Sequence, residues 1–263
     1  FNRSERPDYK TKSFVSAPLI VEERVLGVIN VIDKASGDSF CETDVNLLCT
    51  IAGQVSIAVE NARLYEALEE NCFNMVTALA KSLEAKDKYT SGHSQRVAEY
   101  SSVMARTMGV SDKDMTTLRH AALLHDIGKI GISEFIINKT DKLNDTEFAT
   151  IKSHPCQGEQ IIKPLTFLDD AIHHIRSHHE SFDGRGYPDR LGGDDLSLLT
   201  RIMTVADAFD AMTSDRTYRS SMKTNKAVSE LRRVAGKQFD PEVVDAFASS
   251  EIVKMKSDLE SNY

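Results

Sequence analysis

Residues 115–129 read MTTLRHAALLHDIGK. Met115, Leu118, Ala121 and Ala122 recur at three- and four-residue spacing, the pattern of one buried helical face. His125 continues that stripe, and Asp126 follows it directly. Polar groups on an inward helix face are costly unless they are paired or hold a metal. The same conflict recurs outward from this segment. His93 shares a stripe with Val97, Tyr100 and Met104; His178 follows Ala171 and Ile175; Asp207 lies inside the apolar run IMTVADAFDAM. All eight histidines fall between His93 and His179. One such histidine is ordinarily a satisfied core residue. Several together would leave too many polar groups inside one helical bundle.

The segments around this centre are mostly helical. Gly109 stops one helix and Ser111 caps the next; near the end Gly236 closes a helix, and Asp240-Pro241 opens another with a cap and a proline at the first position. Upstream, the text from Thr43, read as a helix N-cap, to about Lys86 has no proline and one glycine. Leu48, Val55, Ala62, Val76 and Leu83 alternate with Ile51, Ala58, Tyr65, Cys72 and Leu79 in heptads, which predicts a long helix with a homodimer seam. Packing of that stripe on the chain's own domains is the alternative. Before it, Phe14 to Ile20 and Arg24 to Ile32 read as two strands, too few to bury a core alone.

Composition narrows the function. Forty acidic residues against 32 basic ones give a net charge of −8, which excludes a broad basic face for long nucleic acid. No apolar run is long enough to span a membrane, and no signal peptide is present. Cys41, Cys49, Cys72 and Cys156 form no C-x-x-C pair and read as reduced thiols of a cytoplasmic protein. The chain opens on Phe1 rather than Met and reads as part of a longer protein.

His125-Asp126 is the informative pair, because a carboxylate has two oxygens and can bridge two metals. His93 and Asp207 can complete one shell, and His154, His178 and His179 the other. Such a mixed nitrogen and oxygen set suits Fe, Mn, Zn or Ni better than Mg or Ca.

Two resemblances follow from these motifs. HDIGK (125–129) followed by HHESFDGRGYP (178–188) resembles the HD-GYP family signature. YTSGHSQRV (89–97), SHP (153–155) and DAFDAMTSDRTYR (207–219) extend the likeness. SFVSAPLI, ERVLGVINVIDKASGDSF and DVNLLCTIAGQVSIAVENARLYE resemble the C-terminal part of a GAF domain. The implied fold is mainly α: a helical-bundle HD-superfamily domain over 70–263, a truncated α/β GAF fragment over 1–64 and a connecting, dimerising helix over 44–86.

The HD-GYP resemblance implies a bacterial signalling phosphodiesterase that hydrolyses cyclic di-GMP to pGpG, and often on to GMP, by a two-metal-activated hydroxide. The implied ligands are His93, His125, Asp126, His154, His178, His179 and Asp207, holding two ions per chain, foremost Fe or Mn. Lys129 is expected at a phosphate oxygen or leaving group, with a solvated helix-end lysine as the alternative. Arg216 and Arg219 are candidates for the second phosphate, and Asp210 for a ligand histidine or a guanine. Tyr187 belongs either to the substrate site or to a bare turn, in a loop that the resemblance also offers to diguanylate cyclase partners. Glu180 and Asp183 are expected to fix histidine tautomers. His120, His173 and His174 are expected on the surface or behind the ligands.

Tyr89 stands where some members carry a third-metal glutamate, so it is expected at the pocket edge against the substrate. Phe182 and Ser133 replace a frequent Trp and Pro. Rival readings are a cyclic di-GMP receptor or a partner-docking module with little or no turnover, and a different HD-superfamily nucleotide hydrolase.

Overall fold

The computed structural model describes residues 13–84, 91–215 and 221–261. Tyr89, Arg216 and Arg219 lie outside them. Two compact units meet in sequence between Cys72 and Phe73.

In the first unit, β1 (Phe14–Val21) and β2 (Arg24–Ile32) form an antiparallel hairpin, with Phe14 opposite Ile32 and Ala17 opposite Ile29. The register shifts at Leu19/Ile20. One face of the hairpin packs on the start of α1 (Glu42–Glu84) through Ala17, Leu48 and Ala52, flanked by Val15, Leu19 and Ile29. Val25 and Val28 stay exposed.

The cap of α1 lies two residues before the expected Thr43. Thr43 lies inside the helix, and Cys41 precedes it with its amide donating to the Asp44 carboxylate at 2.8 Å. The acid three residues in reaches back to the cap amide, which is half of a capping box.

The heptad seam is also corrected. Leu48, Val76 and Leu83 are buried within the chain and cannot face a partner. The α1 residues left exposed include Tyr65, Leu68, Met75 and Leu79.

The second unit is helical throughout its described length. In order come α2 (His93–Thr107), α3 (Asp112–Leu124), a 3₁₀ turn (Ile127–Gly131), α4 (Glu134–Ile137), α5 (Asp145–Lys152) and α6 (His154–Ile162). Then follow α7 (Asp169–Ser177), α8 (Leu198–Thr213), α9 (Thr224–Val234), α10 (Pro241–Ala248) and α11 (Glu251–Ser261). Local chemistry sets several of the boundaries. Ser111 accepts from the Asp114 amide to open α3, Asn144 and Glu147 form a capping box on α5, and Asp240 with Pro241 opens α10. Gly109 and Gly236 take positive φ after α2 and α9.

Met104, Leu118, Ile175, Ile202, Met203, Phe209, Leu231 and Phe247 are essentially fully buried in one continuous core. α8 runs through it, packed against α2, α3, α9 and α10. The 3₁₀ turn lies tight on α6. At Gly128 a Cβ would sit 1.9 Å from the His154 carbonyl oxygen and 2.6 Å from the Gly158 amide. Only glycine permits that approach.

Candidate metal centre

The histidines gather where helices end. His125 is the residue that caps α3, His178 caps α7, and His154 begins α6 directly after α5. The last carbonyls of a helix lack intrahelical partners. His125 Nδ1 donates to Ala122 at 2.8 Å, His154 Nδ1 to Ile151 at 2.7 Å and His178 Nδ1 to Ile175 at 2.7 Å. Carbonyls only accept, so each Nδ1 carries the proton and each Nε2 presents a lone pair.

These lone pairs converge. His154 Nε2 and His178 Nε2 are 3.1 Å apart, with no proton available between them in that tautomer. Asp126 stands between two donor groups. Its Oδ1 is 3.3 Å from His154 Nε2, and its Oδ2 is 3.5 Å from His125 Nε2. On one side, donor atoms of His93, His125 and Asp207 lie within 4.8 Å of one another; on the other, those of His154, His178 and His179 do. A buried set of acceptors facing each other is repulsive without a cation, so the residues fit divalent metals held by nitrogen and oxygen.

Electrostatics agree with this. Burial opposes ionisation of Asp126, but Lys129, His125 and His154 hold its carboxyl well below the usual range. Burial, helped by the neighbouring histidines, pushes His178 down and His179 to about 4, which keeps both rings neutral donors at neutral pH. His93 goes the other way. Burial lowers it, yet Asp207 and Asp210 outweigh that effect and raise it to about 10, so the position favours a positive charge. The Asp207 and Lys129 side chains keep 23% exposure, which marks the mouth. Lys129 Nζ donates to Asp126 Oδ2 at 2.6 Å.

Of the two roles expected for Asp210, beside a ligand histidine or beside a guanine, its geometry fits the first. It is fully buried, and its Oδ2 accepts from His93 Nδ1 at 2.8 Å. Arg96 forks onto the same carboxylate, Nε to Oδ1 at 2.6 Å and Nη2 to Oδ2 at 2.9 Å. No oxygen is left for a guanine. Asp210→Asn should weaken metal binding about 10- to 100-fold, the usual cost of losing a partner behind a ligand histidine. Calorimetric metal titration checks it, and unchanged affinity would remove Asp210 from the site. Sequence reasoning missed Arg96, although its position three residues after His93 puts both on one helix face.

A family model described as "HD domain" matches residues 77–243. The chain belongs to the HD-domain family. A GAF-domain model matches residues 2–59.

Among curated relatives of this HD domain is a 3'3'-cGAMP-specific phosphodiesterase of Vibrio cholerae, 44% identical over 168 residues, covering 64% of this chain and 36% of the relative. A cyclic di-GMP phosphodiesterase of Thermotoga maritima is 37% identical over 187 residues, covering 70% and 50%. The chain thus spans half or less of the length of these relatives. A solved HDG"Y"P protein from Bdellovibrio bacteriovorus shares the fold, with a TM-score of 0.53 at 23% identity over 77% of this chain and 64% of that one.

The HD domain carries its GYP loop against the second donor group. Tyr187 stacks on His179, ring centres 4.9 Å apart and planes 29° apart. The Nδ1 protons of His125, His154 and His178 go to backbone carbonyls rather than to Glu180 or Asp183, which were expected to fix histidine tautomers. Glu180 Oε1 instead accepts from the amides of Asp189 at 2.6 Å and Arg190 at 2.9 Å. Asp183 accepts from the Arg185 amide at 3.1 Å. Arg176 grips Asp189 with two bonds of 2.7 Å, and a Cβ on Gly186 would fall 2.4 Å from Glu180 Cα. The loop is braced from both sides.

Lys152, which the sequence reading passed over, holds its ammonium 4.9 Å from the Tyr187 ring centre and 4.8 Å from that of Phe148. His120 and His174 are buried rather than on the surface. His174 Nδ1 pairs with Thr200 at 2.8 Å and Ser197 at 3.0 Å, a structural role on α7 and α8.

Proposed function

We propose that this chain hydrolyses a guanine-containing 3'3'-cyclic dinucleotide in the cytoplasm, using two divalent ions, foremost Fe or Mn. His93, His125, Asp126 and Asp207 would hold one ion, and Asp126, His154, His178 and His179 the other. The observation that carries this reading is the set of inward-facing acceptors around a carboxylate whose two oxygens face different donor groups. When bound, such a metal pair lowers the pKa of water and polarises a phosphoryl oxygen.

The chain's own groups do the positioning. Three backbone carbonyls hold the imidazoles in the lone-pair-inward tautomer. Lys129, at the mouth, offers its charge to the phosphoryl oxygens as negative charge builds. Tyr187 supplies a face for a base, and the braced loop keeps that face in place. Hydrolysis adds water across one P–O3' bond, leaving a 5'-phosphate and a free 3'-hydroxyl. Four unpaired cysteines support a reducing compartment. No described helix is long and apolar enough to cross a membrane.

Cyclic di-GMP, opened to pGpG, is the first substrate expected. A second reading, 3'3'-cGAMP, is favoured by the 44%-identical relative. Incubating the metal-loaded chain with each and separating the products tests both. Consumption of neither by protein shown to hold two ions would favour the receptor alternative.

Lys129→Ala should reduce kcat by about 10²- to 10³-fold, while substrate affinity changes only a few-fold. A KM effect with intact kcat would reassign Lys129 to ground-state binding.

The exposed stripe Tyr65, Leu68, Met75 and Leu79 supports a parallel homodimer. These positions fit a three-and-four spacing, with Cys72 at the step between. Leu68→Lys or Leu79→Lys should weaken self-association about tenfold or more, read by analytical ultracentrifugation. A monomeric wild-type chain at tens of micromolar would dismiss the dimer.

A further inference from the structure

α2 starts without a side-chain cap of its own. Gly92 occupies the cap position at φ 71°, and the first turn contains no acid. Glu84, the last residue of α1, takes over that role. Its Oε2 accepts from the Gly92 amide at 2.7 Å and its Oε1 from the Ser94 amide at 3.0 Å. These two amides flank His93, the first residue of α2. A carboxylate there also meets the positive end of the helix dipole.

The end of α1 that carries Glu84 is itself anchored, with Val76, Ala80 and Leu83 buried. Beside the carboxylate lies a cavity of about 460 Å³, lined by Thr77, Lys81 and Gln95 among others. Asp210 holds the His93 ring, and Glu84 holds the main chain on either side of it.

We propose that Glu84 is a positioning residue for His93, fixing the ligand's backbone to the end of α1. It follows that a displacement of the last turns of α1 moves His93 and alters the donor group it shares with His125 and Asp207. This rests on the metal-site reading above, so the test includes a measurement made without metal.

The experiment compares the full chain with Glu84→Gln, Glu84→Asp and, as a control for lost stability, Val76→Ala. Titration with Co²⁺ should show two ions bound by the wild type. Glu84→Gln should weaken one of the two about tenfold or more and leave the other unchanged, with excess Co²⁺ restoring turnover. Glu84→Asp, which keeps the charge, should recover part of the affinity. Val76→Ala should lower the melting temperature without changing Co²⁺ affinity.

In the metal-free chain, amide exchange at Gly92 and Ser94 should accelerate about tenfold in Glu84→Gln and not selectively in Val76→Ala. Unchanged exchange at those amides, or unchanged Co²⁺ affinity in Glu84→Gln, overturns the proposal. A wild type that takes up no Co²⁺ overturns the metal-site reading instead, and amide exchange then decides alone whether Glu84 holds His93.

Discussion

Asp126→Ala should lower kcat by more than about 10³-fold, beyond the usual loss of a single preorganised electrostatic group, and should lower the metal content of the purified chain. The reason is geometric. Each oxygen of Asp126 faces a different donor group, His154 at 3.3 Å and His125 at 3.5 Å. No neighbouring carboxylate can replace it, since Asp207 faces His93 and Asp210 is held by Arg96. Removal would also take from Lys129 the Asp126 carboxylate it holds at 2.6 Å. Elemental analysis and turnover on the same sample check the expectation. Full activity in metal-replete Asp126→Ala would dismiss a shared bridging carboxylate.

Gly128→Ala is expected to be the most damaging single-methyl change in this region. The added Cβ would meet the His154 carbonyl oxygen at 1.9 Å and the Gly158 amide at 2.6 Å, both backbone atoms of α6. Flexible side chains can move aside, whereas a helix backbone cannot do so without shifting the helix. A cost of about 3 kcal/mol or more corresponds to a fall of roughly 6–12 °C in melting temperature. Because His154 heads α6, the shift should also carry its Nε2 out of register with His178 and weaken metal binding. Thermal unfolding and metal titration would measure the two effects. A variant that melts like the wild type would show that the 3₁₀ turn can move away from α6.

Much of this was legible along the chain. Apolar residues at three- and four-residue spacing announced the helices, and Ser111, Gly109, Gly236 and Asp240-Pro241 set boundaries that the fold repeats. These signals are local. A cap acts within three residues of itself, and a proline or glycine constrains its own φ. The inward histidines were legible for a related reason, since an ionisable group on an apolar stripe is a contradiction that the sequence itself displays.

Other readings failed where local pattern left two answers open. The α1 stripe was periodic, but periodicity cannot say which apolar line meets the chain's own core. Leu48, Val76 and Leu83 were taken inward, leaving Leu68 and Met75 to accompany Tyr65 and Leu79 outside. Asp210 could serve a ligand histidine or a guanine as far as the sequence went, because nothing near it in sequence pairs with it. Arg96, 114 residues away, takes both of its oxygens.

By itself the sequence determined the helical class, the family motifs and the residue types that gather at the centre, because each depends on the chemistry of neighbours a few residues apart. Only the tertiary structure decided which carbonyl fixes each imidazole proton, which oxygen of Asp126 faces which donor group, and that Glu180 braces a loop. Hydrogen bonds are made at about 3 Å, and partners at that distance can be anywhere in the chain. Which groups come that close is settled when α2, α3, α6, α7 and α8 pack around one core.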